Sequence, residues 1–335
     1  MTEVSNNIFK IDVPLPGNPL CSTNAYIIRD SERSLIIDTG FDLPVTAETI
    51  HKAVLALGLS LKNVDFVITH MHPDHVGGVH ALADAECRVF AHCRPDGTNA
   101  SEVAGFNEQL RLAEMVYKNA EKPVRGKNGE AGLRTAFPPY ITSWGQPKQG
   151  YSQLQEGDIL TAGGYHFRCI ETPGHDVSEI CLFDEGSGIF ISGDHVLKNI
   201  SPNIIDINFD DGNLNRYLQS LKKVRDLPVS LVLPAHGELF IDLKSRCDDL
   251  SAHHAERLEN VLSLVESGCE MLYEITSGCA WNTGGKLWQE LEPGMKFFAY
   301  GETIAHLSYL LDAGVITKIE KEAVPGFMRK FSLQT

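Results

Sequence analysis

The fold is decided by residues 69–78, Thr69-His70-Met71-His72-Pro73-Asp74-His75-Val76-Gly77-Gly78. They follow the apolar run Val64–Ile68, which predicts a buried strand. Side chains two apart on an extended chain point the same way, so we expect His70 and His72 to converge on one point. The proline that follows predicts a turn, after which Asp74 and His75 face a second point close by.

This stretch has the composition of a metal site. Three imidazoles and one carboxylate fall within residues 70–75, and borderline divalent metals such as zinc prefer these ligands. A polar loop that happens to be rich in histidine is the alternative, and the position directly after a strand argues against it. Gly77 and Gly78 predict that the next helix approaches the strand end closely, because neither residue has a side chain.

Other apolar strands also end beside a carboxylate or a histidine. The predicted strands that end at residues 68, 170, 191 and 233 are followed by metal-ligand residue types, which beyond the first stretch are His175, Asp194 and His236. Functional sites of layered α/β proteins gather at strand ends. Asp38 follows a further predicted strand, and it either orients a ligand or its water, or caps the next element.

The overall composition is that of an ordinary globular protein. With 335 residues, 43% hydrophobic and 22% charged, the chain can bury a large core, and we expect one domain over residues 1–245 and a smaller one over 246–335. A net charge of -15 argues against non-specific binding to nucleic acid or to anionic membranes.

The sequence also predicts where the protein resides. No apolar run approaches the roughly 20 residues of a membrane span, and residues 1–7 lack the pattern of a signal peptide. Eight cysteines without a Cys-x-x-Cys pair indicate free thiols rather than a disulfide framework. We therefore expect a cytoplasmic protein that does not enter a membrane.

Residues 94–150 interrupt the alternation of strands and helices, and we interpret them as an insertion that serves as a lid or binding loop, with a helix over 108–120. Counting Lys and Arg against Asp and Glu gives 8 - 6 = +2 there, against -15 for the whole chain. The expected partner is a small anionic molecule with an acyl group. A solvated basic loop packed on its own aromatic residues is the alternative. The candidate substrate-binding residues are Lys118, Arg125, Lys127, Tyr140 and Trp144.

The C-terminal part has a different character. Its predicted elements are helices over 252–267, 271–277 and 302–313 and strands over 315–320 and 328–333 that form a hairpin across Pro325 and Gly326. Three helices and a hairpin suggest a small winged-helix module. Residues 251–335 carry a net charge of 7 - 11 = -4, and the helix in the DNA-recognition position has no Lys or Arg at 302–311. Groove binding needs such cations, so we expect this helix to pack inside the protein and nucleic acid not to be a partner.

Residues 70–75 as His-x-His-x-Asp-His, with His175, Asp194 and His236 downstream, resemble the metallo-β-lactamase-fold hydrolase superfamily over residues 7–245. The resemblance implies an α/β fold, a four-layer αββα sandwich of two mixed sheets with helices outside. It also implies two divalent metal ions per chain, zinc or else iron or manganese. By the family pattern His70, His72 and His175 hold one metal, Asp74, His75 and His236 hold the other, and Asp194 bridges them.

The ligand set departs from that of the commonest zinc β-lactamases, in which the family pattern has a cysteine where Asp194 stands here. Cys181 lies in the middle of a predicted strand and is a poor substitute. The set is closer to that of the glyoxalase II-like thioester hydrolases. The tail is similar to that of superfamily members with a C-terminal winged helix, some of which are endoribonucleases and others thioesterases.

Three functional hypotheses follow from these observations. The first is a hydrolase of thioesters or related esters, such as acyl-CoA or glutathione conjugates, in which two metals about 3.5–4 Å apart lower the pKa of a bridging water. Asp74 or Asp194 would then help to move a proton. The second is a metal-dependent endoribonuclease or phosphodiesterase. The third is a non-catalytic regulatory binding protein, against which the full set of ligands argues; the oligomeric state stays open.

Overall fold

The strand predicted ahead of the histidine-rich stretch lies inside a large sheet. The structure is a computed structural model, and it describes residues 1–92, 147–207, 209, 211–319 and 326–329. In it, Val64–Ile68 forms strand β5. All of its residues are buried. A strand covered on both faces is expected to be apolar throughout, and Asp65 is the exception that is explained below.

The larger sheet follows chain order. Within the described ranges its strands are β1 (Thr2–Ser5), β2 (Ile8–Pro14), β3 (Ser22–Ile28), β4 (Ser34–Ile37), β5 (Val64–Ile68), β6 (Val89–Ala91) and β7 (Ser152–Gln153). The strands β1 to β4 pair antiparallel, and β4 to β7 pair parallel. Parallel pairing places the carboxyl ends of β4 and β5 at the same edge, where Ile37 pairs with Val67.

The smaller sheet packs face to face on the larger one. In the order in which they pair, the strands described for it are β12 (Leu231–Pro234), β11 (Ile189–Gly193), β10 (Ile180–Asp184), β9 (Tyr165–Glu171) and β8 (Ile159–Ala162). Ile37 and Val67 of the larger sheet share one core with Phe167 and Leu182 of the smaller sheet. The strands β11 and β12 are parallel, which brings their carboxyl ends together.

Some of the helices pack on the two sheets, and others belong to the C-terminal part of the chain. The helices described are α1 (Pro44–Ala56), α2 (Pro73–Val76), α3 (Val79–Leu82), α4 (Asn213–Val224), α5 (Leu243–Glu266), α6 (Leu272–Gly278) and α7 (Pro293–Asp312). Ile50 and Val79 share the core under the larger sheet with Phe66. On the smaller sheet, Lys223 of α4 donates a hydrogen bond to the Glu171 carbonyl at 2.9 Å. The predicted α/β sandwich of two sheets between helices is confirmed.

The chain divides into two compact units. Among the described residues, the first unit holds 1–92, 147–202 and 219–248, and the second holds 203–207, 209, 211–218, 249–319 and 326–329. The sequence places the start of the small domain at residue 246, and the structure groups residues 203–218 with that domain as well. Both sheets of the sandwich belong to the first unit.

Two helix starts in the C-terminal part were predicted wrongly. The helix predicted from residue 252 begins at Leu243, since buried residues continue at helical spacing upstream of 252. The helix predicted from residue 302 begins at Pro293, a residue suited to the first helical position. Gly301 lies inside that helix. A side chain is not tolerated there, because a Cβ would lie 2.7 Å from Cβ of Ile205.

The terminal hairpin is also shifted from its predicted register. Strand β13 (Ile316–Ile319) pairs antiparallel with β14 (Gly326–Arg329), and Gly326 pairs with Ile319, so Gly326 belongs to the strand and not to the turn. The order of three helices and a hairpin is as predicted, and the winged-helix arrangement stays a prediction. Helix α7 is buried over most of its length, including Thr303, Ile304 and Leu307, as expected for a helix that packs inside its unit.

The helix predicted over 108–120 lies outside the described residues. So do the predicted substrate-binding residues, which are Lys118, Arg125, Lys127, Tyr140 and Trp144. Through the part of the chain that the structure does describe, none of the helices is both long enough and apolar enough to cross a bilayer. The cysteines in those ranges are free thiols.

Asp65, the carboxylate inside β5, connects three neighbouring parallel strands. Its oxygens accept hydrogen bonds from Nη2 of Arg33, just before β4, at 2.6 Å and from Nη2 of Arg88, just before β6, at 2.6 Å. The backbone N–H of Arg88 donates a further bond of 2.8 Å. These bonds outweigh burial and lower the pKa of Asp65. Asp65 therefore holds the register of β4, β5 and β6 at the end opposite the histidine-rich stretch.

We expect Asp65→Asn to lower the free energy of unfolding by about 2 kcal/mol, because two arginines lose a charged partner that is itself buried. Urea denaturation followed by circular dichroism measures the change. Glu48→Gln is the matched control, since Glu48 forms an exposed ion pair with Lys52 one helical turn away, and it should leave the denaturation midpoint unchanged. Equal midpoints for the two variants would show that Asp65 does not stabilise the sheet.

Candidate metal centre

The end of β5 and the loop after β9 bring three histidines together. Nε2 of His70 and Nε2 of His175 lie 3.0 Å and 2.9 Å from Nδ1 of His72. One nitrogen from each ring can reach a common ion. We call these residues the first ligand group. His70 and His72 meet because they are two apart on an extended segment.

Asp74, His75 and His236 form the second ligand group. Pro73 opens the short helix α2, whose single turn carries Asp74 and His75 away from the first group. Nε2 of His236, after strand β12, lies 3.4 Å from Oδ2 of Asp74, and Nε2 of His75 lies 3.9 Å from Oδ1. The second point predicted beside the first is thus a cluster of two imidazoles and one carboxylate.

Asp194 lies between the two ligand groups. It follows strand β11, and its Oδ2 lies 3.6 Å from Nε2 of His175 in the first group. Its Oδ1 lies 3.5 Å from Nε2 of His236 in the second group. Oδ2 also lies 3.7 Å from Nε2 of His75, so the carboxylate has histidines of both groups within 3.7 Å, which is the placement that a bridging ligand requires.

Buried atoms without hydrogen bonds show that this cluster fits metal ions. Considering the described residues alone, Nε2 of His75, Nε2 of His236 and Oδ1 of Asp194 are buried and form no hydrogen bond. Leaving such a group unpaired costs about 1–3 kcal/mol. Two ligands of a tetrahedral zinc ion lie about 3.4 Å apart, close to the separations found here. The residues therefore suit divalent metals in both type and spacing.

The protonation states at the centre also suit a metal. Burial raises the pKa of Asp74, but the positive charges of His75 and His236 outweigh it and lower that pKa to about 2. The pKa of Asp194 is lower still for the same reasons. Burial lowers the pKa of His70, whose lone pair is then free of a proton near neutral pH. Ionised carboxylates and neutral imidazoles are the forms that bind metals. Burial lowers the pKa of His75 and of His236, but the nearby carboxylates outweigh it and raise both, so metal binding would displace a proton from each of these two rings.

Asp38 supports the second ligand group from outside. Its Oδ2 lies 2.8 Å from Nδ1 of His75 and accepts a bond of 2.8 Å from the Thr69 hydroxyl, and its Oδ1 accepts one of 2.9 Å from the Thr69 N–H. Holding Nδ1–H leaves Nε2 of His75 as the ligand atom. Capping, the alternative for Asp38, is not observed: the N-cap of α1 is Leu43, without a side-chain cap. Asp38 has φ of 58°, a conformation that aspartate tolerates better than most residues.

Glu179 is a buried carboxylate at the centre that the sequence analysis did not identify. Its Oε2 lies 3.1 Å from Nδ1 of His70, and its Oε1 accepts a hydrogen bond of 3.1 Å from the backbone N–H of Asp194. Burial, followed by the nearby charge of Asp194, raises the pKa of Glu179. Positive charge at the centre would favour the ionised form. Glu179 thus contacts both the first ligand group and the residue that lies between the groups.

The sequence does contain a signal for Glu179, although not for its partners. The residue directly precedes β10, in which every residue is buried, and follows His175 by four positions. A charged residue at the start of such a strand is unusual and indicates a specific partner. That the partners are His70 and the Asp194 backbone depends on the packing of the two sheets.

Two glycines are required by the close packing around the centre. A Cβ at Gly77 would lie 2.5 Å from the backbone nitrogen of Asp42, so glycine is required by a close approach to the loop after β4 and not by the predicted approach of the helix to the strand end. A Cβ at Gly193 would lie 2.2 Å from Oε1 of Glu179. Gly193 also has φ of 52°, which strains any residue with a Cβ.

Comparison with known proteins identifies relatives of the chain. The sequence profile of the Metallo-beta-lactamase superfamily matches residues 18–236. The lactamase-like protein nscB of Aspergillus fumigatus is 27% identical over 258 residues, covering 75% of this chain and 60% of that protein. The lactamase-like protein adaB of Aspergillus niger is 26% identical over 268 residues, covering 79% and 65%. The chain thus spans less than two thirds of the length of these relatives.

Solved structures share the fold. A metallo-beta-lactamase family protein of Thermus thermophilus superposes with a TM-score of 0.78 at 24% identity, covering 98% of this chain and 100% of that one. A beta-lactamase domain protein of Burkholderia ambifaria gives a TM-score of 0.76 at 24% identity, covering 98% and 93%. At this identity the likeness establishes the fold alone.

We expect Asp38→Ala to weaken metal binding by about 10–100-fold, because His75 loses the partner that orients its ring. Zinc bound per chain is measured after dialysis against buffered free zinc. Asp42→Ala is the control, since its Oδ1 lies 3.4 Å from Nε2 of His80, a histidine outside both ligand groups. Equal zinc content in the two variants would contradict a role for Asp38 at the centre.

Glu179→Ala should also weaken zinc binding, by about 10–100-fold, since it removes the contact with His70 and frees the Asp194 N–H. Glu179→Gln should have a smaller effect, because an amide oxygen still accepts the hydrogen bond from Asp194. The same zinc measurement applies, with Glu185→Ala as the exposed control. If Glu179→Ala keeps the zinc affinity of the unmodified protein, Glu179 does not position the ligands.

Proposed function

The chain belongs to the metallo-beta-lactamase superfamily, and from this premise we propose that it is a metal-dependent hydrolase that cleaves thioesters or related esters. The observation that carries the proposal is the position of Asp194, with one oxygen 3.6 Å from His175 and the other 3.5 Å from His236. A carboxylate placed between two ligand groups suits a dinuclear centre.

The two ligand groups and Asp194 would hold two divalent ions, zinc or else iron or manganese. When bound, such ions polarise a carbonyl group and lower the pKa of water. The reaction adds water to the acyl carbon and breaks the C–S or C–O bond, so that a carboxylic acid and a thiol or alcohol leave. This chemistry does not need a serine or cysteine nucleophile, because water supplies the attacking oxygen.

The two carboxylates of the centre can receive the proton that the attacking water gives up. The Asp74 side chain is 17% exposed and that of Asp194 is 10% exposed, and both are ionised near neutral pH. Oδ1 of Asp74 lies 3.9 Å from Nε2 of His75, the longest of the separations in its group. Asp74 is therefore the carboxylate better placed to accept a proton while Asp194 keeps the two groups together.

The choice of thioesters rests on the ligand set and on charge. In the family pattern, the commonest zinc β-lactamases have a cysteine at the position of Asp194. The ligand set of this chain is instead similar to that of the glyoxalase II-like thioester hydrolases. Lys118, Arg125, Lys127, Tyr140 and Trp144, outside the described residues, supply cations and aromatic rings for an anionic acyl substrate.

The two alternatives have less support. A phosphodiesterase or endoribonuclease would use the same centre, but the net charge of -15 opposes nucleic acid. Helix α7, which would have to read bases, is largely buried. A non-catalytic binding protein does not need both ligand groups together with Asp194, and all of these residues are in place.

The experiment is a substrate panel on protein stripped by a chelator and then reloaded with zinc. We expect hydrolysis of acyl-CoA and S-acyl glutathione that disappears on stripping, returns on reloading and is lost in Asp194→Asn, while the exposed control Asp226→Asn keeps it. Cleavage of RNA or of a phosphodiester, with thioesters untouched, would favour the nuclease alternative. Hydrolysis that survives stripping would overturn a metal-dependent mechanism.

A further inference from the structure

A second cluster of metal-ligand residue types lies in the C-terminal unit, apart from the dinuclear centre. His253 and His254 of helix α5 and Glu302 of helix α7 each place one ligand atom within 4.8 Å of the others. Nε2 of His253 lies 4.0 Å from Oε1 of Glu302. No pattern in the sequence identifies these residues, because they occur on two helices without a recognisable spacing.

The hydrogen bonds around His254 determine which of its nitrogens carries a proton. Nδ1 of His306 lies 2.7 Å from the backbone carbonyl of Glu302, and a carbonyl only accepts, so this nitrogen carries the hydrogen. Nε2 of His306 then bears a lone pair and lies 3.3 Å from Nδ1 of His254, which must donate. The remaining nitrogen of His254, Nε2, is left with its lone pair.

The lone pair on Nε2 of His254 is buried, and it accepts no hydrogen bond from the described residues. His254 is 1% exposed, and among the residues described its Nε2 forms no hydrogen bond. Oε1 of Glu302 likewise forms no hydrogen bond, and its near neighbours are Nε of Arg257 at 3.6 Å and Nε2 of His253 at 4.0 Å. Two buried acceptor atoms without a hydrogen-bond donor thus belong to residues whose ligand atoms lie within 4.8 Å of one another, and a bound cation would satisfy them.

We propose that His253, His254 and Glu302 bind a divalent transition metal such as zinc, which connects helix α5 to helix α7. Two imidazoles and one carboxylate form a known zinc ligand set, and solvent can supply the remaining ligand because the His253 side chain is 37% exposed. The hydrogen bonds from His254 through His306 to the Glu302 carbonyl orient the ligand ring, as partners of metal-bound histidines do. Closing the 4.0 Å separation to the roughly 3.4 Å of two zinc ligands needs only a small side-chain rotation.

Arg257 sets the strength of this site. Its Nε lies 3.6 Å from Oε1 of Glu302, so it partly neutralises the carboxylate and repels a dication. We therefore expect this zinc to bind more weakly than zinc at the candidate dinuclear centre, where Asp74 and Asp194 have no arginine among the contacts described for their carboxylates. It should be the first ion that a chelator removes.

The test compares zinc bound per chain by four full-length proteins across a range of buffered free zinc. The proteins are the unmodified chain, His253→Gln, Glu302→Gln and the control His51→Gln, which replaces an exposed histidine on α1. We expect the first and last to bind one zinc more than the other two, and to gain more thermal stability from zinc. The difference of one zinc does not depend on how many ions the dinuclear centre holds, so the result is independent of the proposed function.

Equal zinc content in all four proteins, at every free zinc concentration, would overturn the proposal. The cluster would then be a packing arrangement, and the two cluster variants would change the unfolding temperature equally with and without zinc. Circular dichroism establishes that the variants are folded. Glu302→Gln keeps the size of the side chain, and His253 is partly exposed, so loss of zinc by both folded variants supports the site.

Discussion

Five histidines and two aspartates, buried or partly buried, must share one small volume, and the rest of the first unit is arranged around that constraint. Their lone pairs and negative charges repel one another, and several of these atoms form no hydrogen bond within the described chain. Such a cluster is stable only if cations compensate it and if each side chain is held in place. The sandwich meets the second requirement by placing the ligands in the segments that directly follow buried strands, with Asp74 and His75 in the short helix α2.

The supporting contacts lie on the far side of the ligand rings. Asp38 contacts Nδ1 of His75, Glu179 contacts Nδ1 of His70, and the backbone carbonyl of Ser22 lies 2.9 Å from Nδ1 of His236. In each case the supported nitrogen is the one that faces away from the cluster, so the other nitrogen is free to bind a metal. His72 is turned the opposite way and presents Nδ1 to its neighbours. These supports come from separate strands, which explains why the centre requires both sheets.

The sheets also fix the alignment of their strands relative to one another. Asp65 connects three parallel strands at one end, and the ligands gather at the other. Parallel strands that cannot slide present their ends at constant positions, which a set of metal ligands requires to within a fraction of an ångström. The C-terminal unit shows a contrasting arrangement, in which two helices present His254 and Glu302 across a packed interface and a chain of imidazoles fixes the orientation.

The sequence alone predicts β5, the histidine-rich stretch and the grouping of His175, Asp194 and His236 with it, because alternation along a strand and ligands after strand ends are local patterns. It also predicts the layered α/β architecture. Only the tertiary structure reveals Glu179 as a partner of His70, the contact of Asp38 with His75, and the cluster of His254 with Glu302. These contacts join residues far apart in the chain, and no spacing in the sequence encodes them. The position of Gly301 inside α7 is likewise decided by its close approach to Ile205, which only packing reveals.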